Sequence, residues 1–97
     1  MKIIVSYDVS VVSEGGKRRL RRVAKICVNY GLRVQNSVFE CEVDWTQYLD
    51  LKSAILSEID SEHDSIRIYN LGNRYQEKIE HFGTKRTPNL KDDVLFF

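Results

Sequence analysis

Two cysteines in 97 residues are too few to hold a small chain together by covalent links. Cys27 and Cys41 lack C-x-x-C spacing and both read as core-facing, which excludes a disulfide framework and a thiolate zinc site and fits a reducing cytosol. Long apolar runs are missing as well. Nothing approaches the ~20 apolar residues of a membrane span, and the run at residues 1–8 is too short for a signal peptide. The expectation is a cytoplasmic protein that makes no use of a membrane. A phosphate loop is also lacking, because Gly15 and Gly16 precede a helix without the spaced glycines and the Lys-Ser/Thr end of a P-loop. His63 and His81 stand far apart in sequence and define no acid-base or metal pair. Charge of one sign is scarce overall, since 15 basic residues meet 14 acidic ones for a net charge of +1.

What the chain does have is one domain's worth of patterned apolar sequence. With 42% hydrophobic residues it can close one two-layer core and has no spare length for a second, so residues 1–97 are read as a single domain. Ile3, Val5, Tyr7 and Val9 alternate with Ile4, Ser6 and Asp8, which predicts a central strand with Tyr7 turned to the core. Leu20, Val23, Ala24, Cys27 and Tyr30 recur at helical spacing and predict a helix over 17–30, with Gly31 as its stop. Residues 32–43 read as extended, split into two strands at the turn-prone Asn36-Ser37, and Phe39 reads as core. Asp44 is placed to cap a second helix over 46–59 whose Leu49, Ile55, Leu56 and Ile59 face the sheet. Residues 60–64 read as a polar turn, 65–71 as a strand, and 75–82 as a weaker edge strand carried by Tyr75, Ile79 and Phe82. The order predicts an α+β, ferredoxin-like βαββαβ domain with an extra C-terminal strand. A linker and tail over 84–97, ending in Val94, Leu95, Phe96 and Phe97, is expected to add to an edge strand of this chain or of a second copy.

Local charge is less even than the total. Lys17, Arg18, Arg19, Arg21, Arg22 and Lys25 crowd the first helix without an interleaved acid, and Arg18, Arg22 and Lys25 share one stripe. Such a run either solvates a helix face or tracks a phosphate backbone, and Arg33 offers forked donors to the same path. Asp8 ends the central strand, where a carboxylate either holds a hard, largely hydrated divalent cation, or caps the following loop or pairs with a nearby arginine. One carboxylate makes a poor site, whereas a two-fold axis would bring a second Asp8 to the same cation.

Three strings carry a resemblance. Ser6-Tyr7-Asp8-Val9, the basic helix from Lys17 through Lys25, and Arg33-Val34-Gln35-Asn36-Ser37-Val38-Phe39-Glu40-Cys41 together resemble the CRISPR-associated Cas-two family. Ser65-Ile66-Arg67-Ile68-Tyr69, Gly72-Asn73 and Ile79-Glu80-His81-Phe82-Gly83 extend the likeness along nearly the whole chain. The resemblance implies a homodimer of ferredoxin-like folds in the spacer-acquisition module, partnered by a Cas-one integrase that inserts foreign DNA into a CRISPR array. It also implies a metal-dependent endonuclease acting on RNA or DNA, with Asp8 as catalytic residue and ligand of Mg²⁺ or Mn²⁺.

Two functions are therefore expected. One is a nuclease centred on Asp8, with Arg18, Arg19, Arg22, Lys25 and Arg33 holding the nucleic acid. The other is a non-catalytic adaptor that binds duplex DNA by its backbone and bridges integrase units. An RNA-recognition module shares the element order, but residues 37–43 lack its basic-Gly-aromatic pattern, and Glu40 and Glu42 would repel phosphate.

Overall fold

The computed structural model describes residues 1–10 and 15–83. Six elements follow in the order β1 (Lys2–Asp8), α1 (Gly16–Cys27), β2 (Gly31–Gln35), β3 (Val38–Glu42), α2 (Trp45–Glu58) and β4 (Ser65–Gly72). One antiparallel sheet in the order β2-β3-β1-β4 places β1 at the centre, as its alternation predicts. Both helices belong to one face, where Ile3, Val5, Tyr7, Phe39 and Cys41 meet Val23, Ala24, Cys27, Leu51 and Ile55 in a single core. This is the ferredoxin-like α+β architecture.

The turn at Asn36-Ser37 splits the second extended region as expected, and β2 pairs back onto β3 with an irregularity between Arg33 and Gln35. Helix α1 is shorter than its periodicity suggests. Asn29 and Tyr30 donate to carbonyls three residues back, Ile26 and Cys27, and this tightening ends the helix before Tyr30. Gly31 is therefore not a helix stop but the first residue of β2, pressed against the backbone of β3.

Helix α2 starts with a capping box. The Gln47 N–H donates to Asp44 Oδ1 at 2.7 Å while the Asp44 N–H donates to Gln47 Oε1 at 2.9 Å. Its buried face agrees with the expected one in part: Ile55 is buried and Ile59 packs against the core, but Leu51 takes the place of Leu49 and Leu56, which stay about half exposed. Apolar residues occur around most of this helix, so two stripes compete in sequence, and packing against α1 selects the one through Leu51. Leu51→Ala is accordingly expected to cost about 2–5 kcal/mol and Leu49→Ala less than about 1 kcal/mol. Urea denaturation of both variants checks this, and equal losses would mean that the helix is rotated.

The strand expected over 75–82 does not form. Gly72, at φ 73°, turns the chain out of β4, residues 76–78 make a turn in which the Lys78 N–H donates to the Tyr75 carbonyl, and Tyr75 is buried with the Lys2 ammonium 4.6 Å from its ring centroid. Anchoring of Tyr75 on Lys2 replaces strand pairing there. The tail over 84–97 lies outside the described residues.

Candidate functional site

Asp8 is the last residue of β1 and pairs in register with Ser65, the first of β4. Strand alternation puts Tyr7 on the helix side and Asp8 on the other, with Ile4 and Ser6. The Asp8 side chain is exposed, and among the described residues it makes no hydrogen bond and no ion pair. The loop it would cap runs through residues 11–14, outside the described residues, and the arginine pairing weighed for it is not made within them. Its neighbour explains why: the arginine that reaches the strand end is committed to another acid.

That acid is Asp64, in a segment that reads in sequence as a polar turn. Its side chain is fully buried and bonded on every side. Arg19 donates through Nε to Oδ2 at 2.7 Å and through Nη2 to Oδ1 at 3.1 Å. The Tyr7 hydroxyl donates to Oδ2, the Asp60 N–H donates to Oδ2 at 3.0 Å, and the Ser10 N–H donates to Oδ1 at 3.3 Å. Burial by itself pushes the Asp64 carboxyl up, but these donors, led by Arg19, overcome it and hold the group well below the usual carboxylate range. Burial and the bond to Asp64 push the Tyr7 phenol well above its ordinary value.

A stability consequence follows with a definite sign. A carboxyl depressed in the folded state stabilises fully above its unfolded value of about 3.9, and that contribution is lost as pH falls through the folded value. The unfolding temperature of the wild type should thus drop more steeply below about pH 4 than that of Asp64→Asn. Parallel acid limbs in a thermal melt series would show that Asp64 is not held ionised.

The cations of α1 divide. Arg18, Arg21, Arg22 and Lys25 line an open groove of about 680 Å³ together with Arg33 of β2, floored by Ala24 and Val28. Arg18, Arg21 and Lys25 are exposed and, among the described residues, carry no salt bridge. Arg22 lies 3.6 Å from Glu58, a pair more than half exposed at the arginine. Arg33 braces the β2–β3 turn by donating to the Asn36 carbonyl at 2.7 Å, with its guanidinium 5.5 Å from the Phe39 ring centroid. Arg19 is the exception among the expected phosphate-binding residues. Its side chain is only 15% exposed and is spent on Asp64, so it does not join the groove. Arg21, left out of the expected set, does.

Asp8 is not part of that groove. The carboxylate faces the open side of the sheet while the groove is built on α1 and one sheet edge. The structure therefore brings Arg18, Arg22, Lys25 and Arg33 together and leaves Asp8 apart from them. Among the described residues no three His, Cys, Asp or Glu side chains cluster as a metal site. Both thiols are buried, and the open donors near the strand end are oxygens, the type that hard cations take. His63 contacts Asp60 through Nδ1 at 2.9 Å, within its own turn.

Fold and side chains define a ferredoxin-like α+β protein with a free carboxylate at the end of its central strand. The family described as CRISPR associated protein Cas2 matches residues 1–79. A CRISPR-associated endonuclease Cas2 of Halalkalibacterium halodurans is 55% identical over 96 residues, 99% of this chain and 100% of that one. A CRISPR-associated endoribonuclease Cas2 of Chlorobaculum tepidum is 47% identical over 95 residues, covering 98% of this chain and 99% of the relative. Among solved structures, Streptococcus pyogenes Cas2 at pH 6.5 superposes with a TM-score of 0.79 at 48% identity, over 86% of this chain and 100% of that one. A chain of a partial Cas6-RT-Cas1–Cas2 complex gives a TM-score of 0.52 at 28% identity, over 84% and 90% of the two chains. The chain belongs to the CRISPR-associated Cas2 family.

Proposed function

We propose that this chain works as a symmetric dimer in the cytoplasm, within the spacer-acquisition module, and hydrolyses phosphodiester bonds of RNA or DNA at Asp8 with Mg²⁺ or Mn²⁺. The observation that carries the reading is the exposed Asp8 carboxylate at the end of the central strand, which has no partner among the described residues. Relatives at 55% and 47% identity are named as an endonuclease and an endoribonuclease, which supports the reaction class. The side of the sheet that no helix of the described residues covers supports the dimer. Leu32, Glu40, Ile4 and Tyr69 form one row across it and Val38, Ser6 and Arg67 the next, a mixed apolar face that a second sheet would cover. Packing two such faces about a two-fold axis would bring two Asp8 carboxylates toward one cation.

When bound there, the cation would supply Lewis-acid polarisation of the phosphate and a more acidic water. The chain's own part is to hold that cation through Asp8, to offer the Ser6 hydroxyl as a donor on the same face, and to keep positive charge on α1 for the rest of the strand. Cleavage of labelled single-stranded RNA and duplex DNA, with Mg²⁺, Mn²⁺ or a chelator, tests the reading. Cutting that needs the metal is expected; no cutting of either substrate under any condition would overturn it.

A second reading has its own support. The groove lies apart from Asp8, and a chain of similar fold belongs to a complex named Cas6-RT-Cas1–Cas2. As an adaptor the dimer would bind duplex DNA through phosphates and bridge Cas1 units. Each phosphate contact contributes about 0.9 to the salt slope of duplex binding, so Arg18→Gln with Lys25→Gln should lower that slope by about 2. An unchanged slope in a filter-binding titration would take these side chains out of the interface.

A further inference from the structure

The contacts of Asp64 close on both flanks of Asp8. The Tyr7 hydroxyl, from the residue before Asp8, donates to Oδ2. The Ser10 N–H, two residues after Asp8, donates to Oδ1 at 3.3 Å. Asp64 itself directly precedes Ser65, the register partner of Asp8 across β1 and β4. The backbone is held at a further point, since the Tyr7 N–H donates to the Ser37 carbonyl at 2.9 Å. Between these restraints Asp8 has no partner among the described residues and stands exposed on the opposite side of the strand.

The Asp64 carboxylate also takes Arg19 by two of its nitrogens, at 2.7 and 3.1 Å. A fully buried carboxylate with this many donors has no lone pair to spare for a ligand of its own. What it can do is fix the path of the chain through Asp8 and hold Arg19 on the helix side. Both effects favour one state of Asp8: directed outward and unshared. A side chain that must bind a cation gains affinity when its orientation is set beforehand, because less freedom is lost on binding.

We propose that Asp64 is a positioning residue for Asp8, clamping the strand end through the Tyr7 hydroxyl and the Ser10 N–H and engaging Arg19, so that the Asp8 carboxylate is presented to a divalent cation. The proposal rests on the reading of Asp8 as a cation ligand. It assigns a role to three side chains, Asp64, Tyr7 and Arg19, that do not reach the open side of the sheet.

The test is binding of Mn²⁺ alone, followed by the electron paramagnetic resonance signal of the free ion, on full-length variants shown by circular dichroism to be folded at the assay temperature. Asp8→Ala should abolish saturable binding. Asp64→Asn should weaken it about 10-fold, the order seen when a partner of a metal ligand is lost. Tyr7→Phe keeps the ring in the core and deletes one clamp, so a several-fold weakening is expected, and this variant decides the matter if Asp64→Asn does not fold. Wild-type affinity in Tyr7→Phe and in folded Asp64→Asn, with binding lost in Asp8→Ala, would overturn the positioning role and leave Asp8 as a ligand. Binding that survives in Asp8→Ala, or is absent from the wild type, would overturn the cation reading beneath it.

Discussion

Asp8→Ala is expected to lower the cleavage proposed for this chain by about 10³-fold while leaving the folded protein intact. A bound cation contributes several kcal/mol to a phosphoryl-transfer transition state, and about 4 kcal/mol corresponds to that factor. The stability change should stay within about 0.5 kcal/mol, because an exposed side chain with no described partner leaves nothing unsatisfied when it is removed. Duplex binding should be unaffected as well, since Asp8 is not among the residues lining the cationic groove. Three measurements on one variant check the set: cleavage rate, thermal unfolding and duplex affinity. Equal cleavage by wild type and variant would take Asp8 out of the reaction, and no cleavage by either would leave the adaptor reading to account for the protein.

Gly31→Ala should be the most damaging small substitution in the described core. A Cβ at Gly31 would stand 1.9 Å from the Glu40 carbonyl oxygen, 2.6 Å from the Cys41 Cα and 2.8 Å from the Glu40 carbonyl carbon. All three are backbone atoms of β3, so no side chain can swing aside. The strands must separate at the point where Gly31 pairs with Cys41 and the Glu42 N–H donates to the Tyr30 carbonyl at 3.0 Å. A loss of about 3 kcal/mol or more is expected, which for a domain of this size lowers the unfolding temperature by roughly 12–24 °C. Gly72→Ala is the useful comparison. Nothing lies within 4 Å of a Cβ there, but the residue sits at φ 73°, so only left-handed backbone strain of about 1–2 kcal/mol is expected. A Gly31→Ala protein no less stable than Gly72→Ala would show that β2 does not approach β3 so closely.

Much of the fold is legible in the chain because its signals are local. The alternation of Ile3, Val5 and Tyr7 against Ile4, Ser6 and Asp8 is a property of one strand, and it holds. The capping role of Asp44 needs only Gln47 three residues on, and the turn at Asn36-Ser37 needs only its own backbone preferences. Signals that depend on a distant partner fared differently. Helix α2 has more apolar positions than its buried face can take, so Leu51 rather than Leu49 enters the core only because α1 lies where it does. Residues 75–82 have a strand-like pattern, but Tyr75 settles on Lys2 and the following residues close a turn.

The site divides in the same way. Asp8 and the basic face of α1 could be picked out because strand periodicity and charge density are written in neighbouring residues. Asp64 could not, since an aspartate in a polar turn looks like any solvated turn residue until Arg19, 45 positions earlier, and Tyr7, 57 positions earlier, fold against it. Burial and pairing are relations between segments far apart in the chain, and sequence spacing carries no measure of them. Local patterns thus determined the order of the six elements from β1 to β4 and the outward strand-end carboxylate. Which arginine is free for phosphate and which is spent inside depends on the side chains that tertiary packing brings within hydrogen-bonding distance.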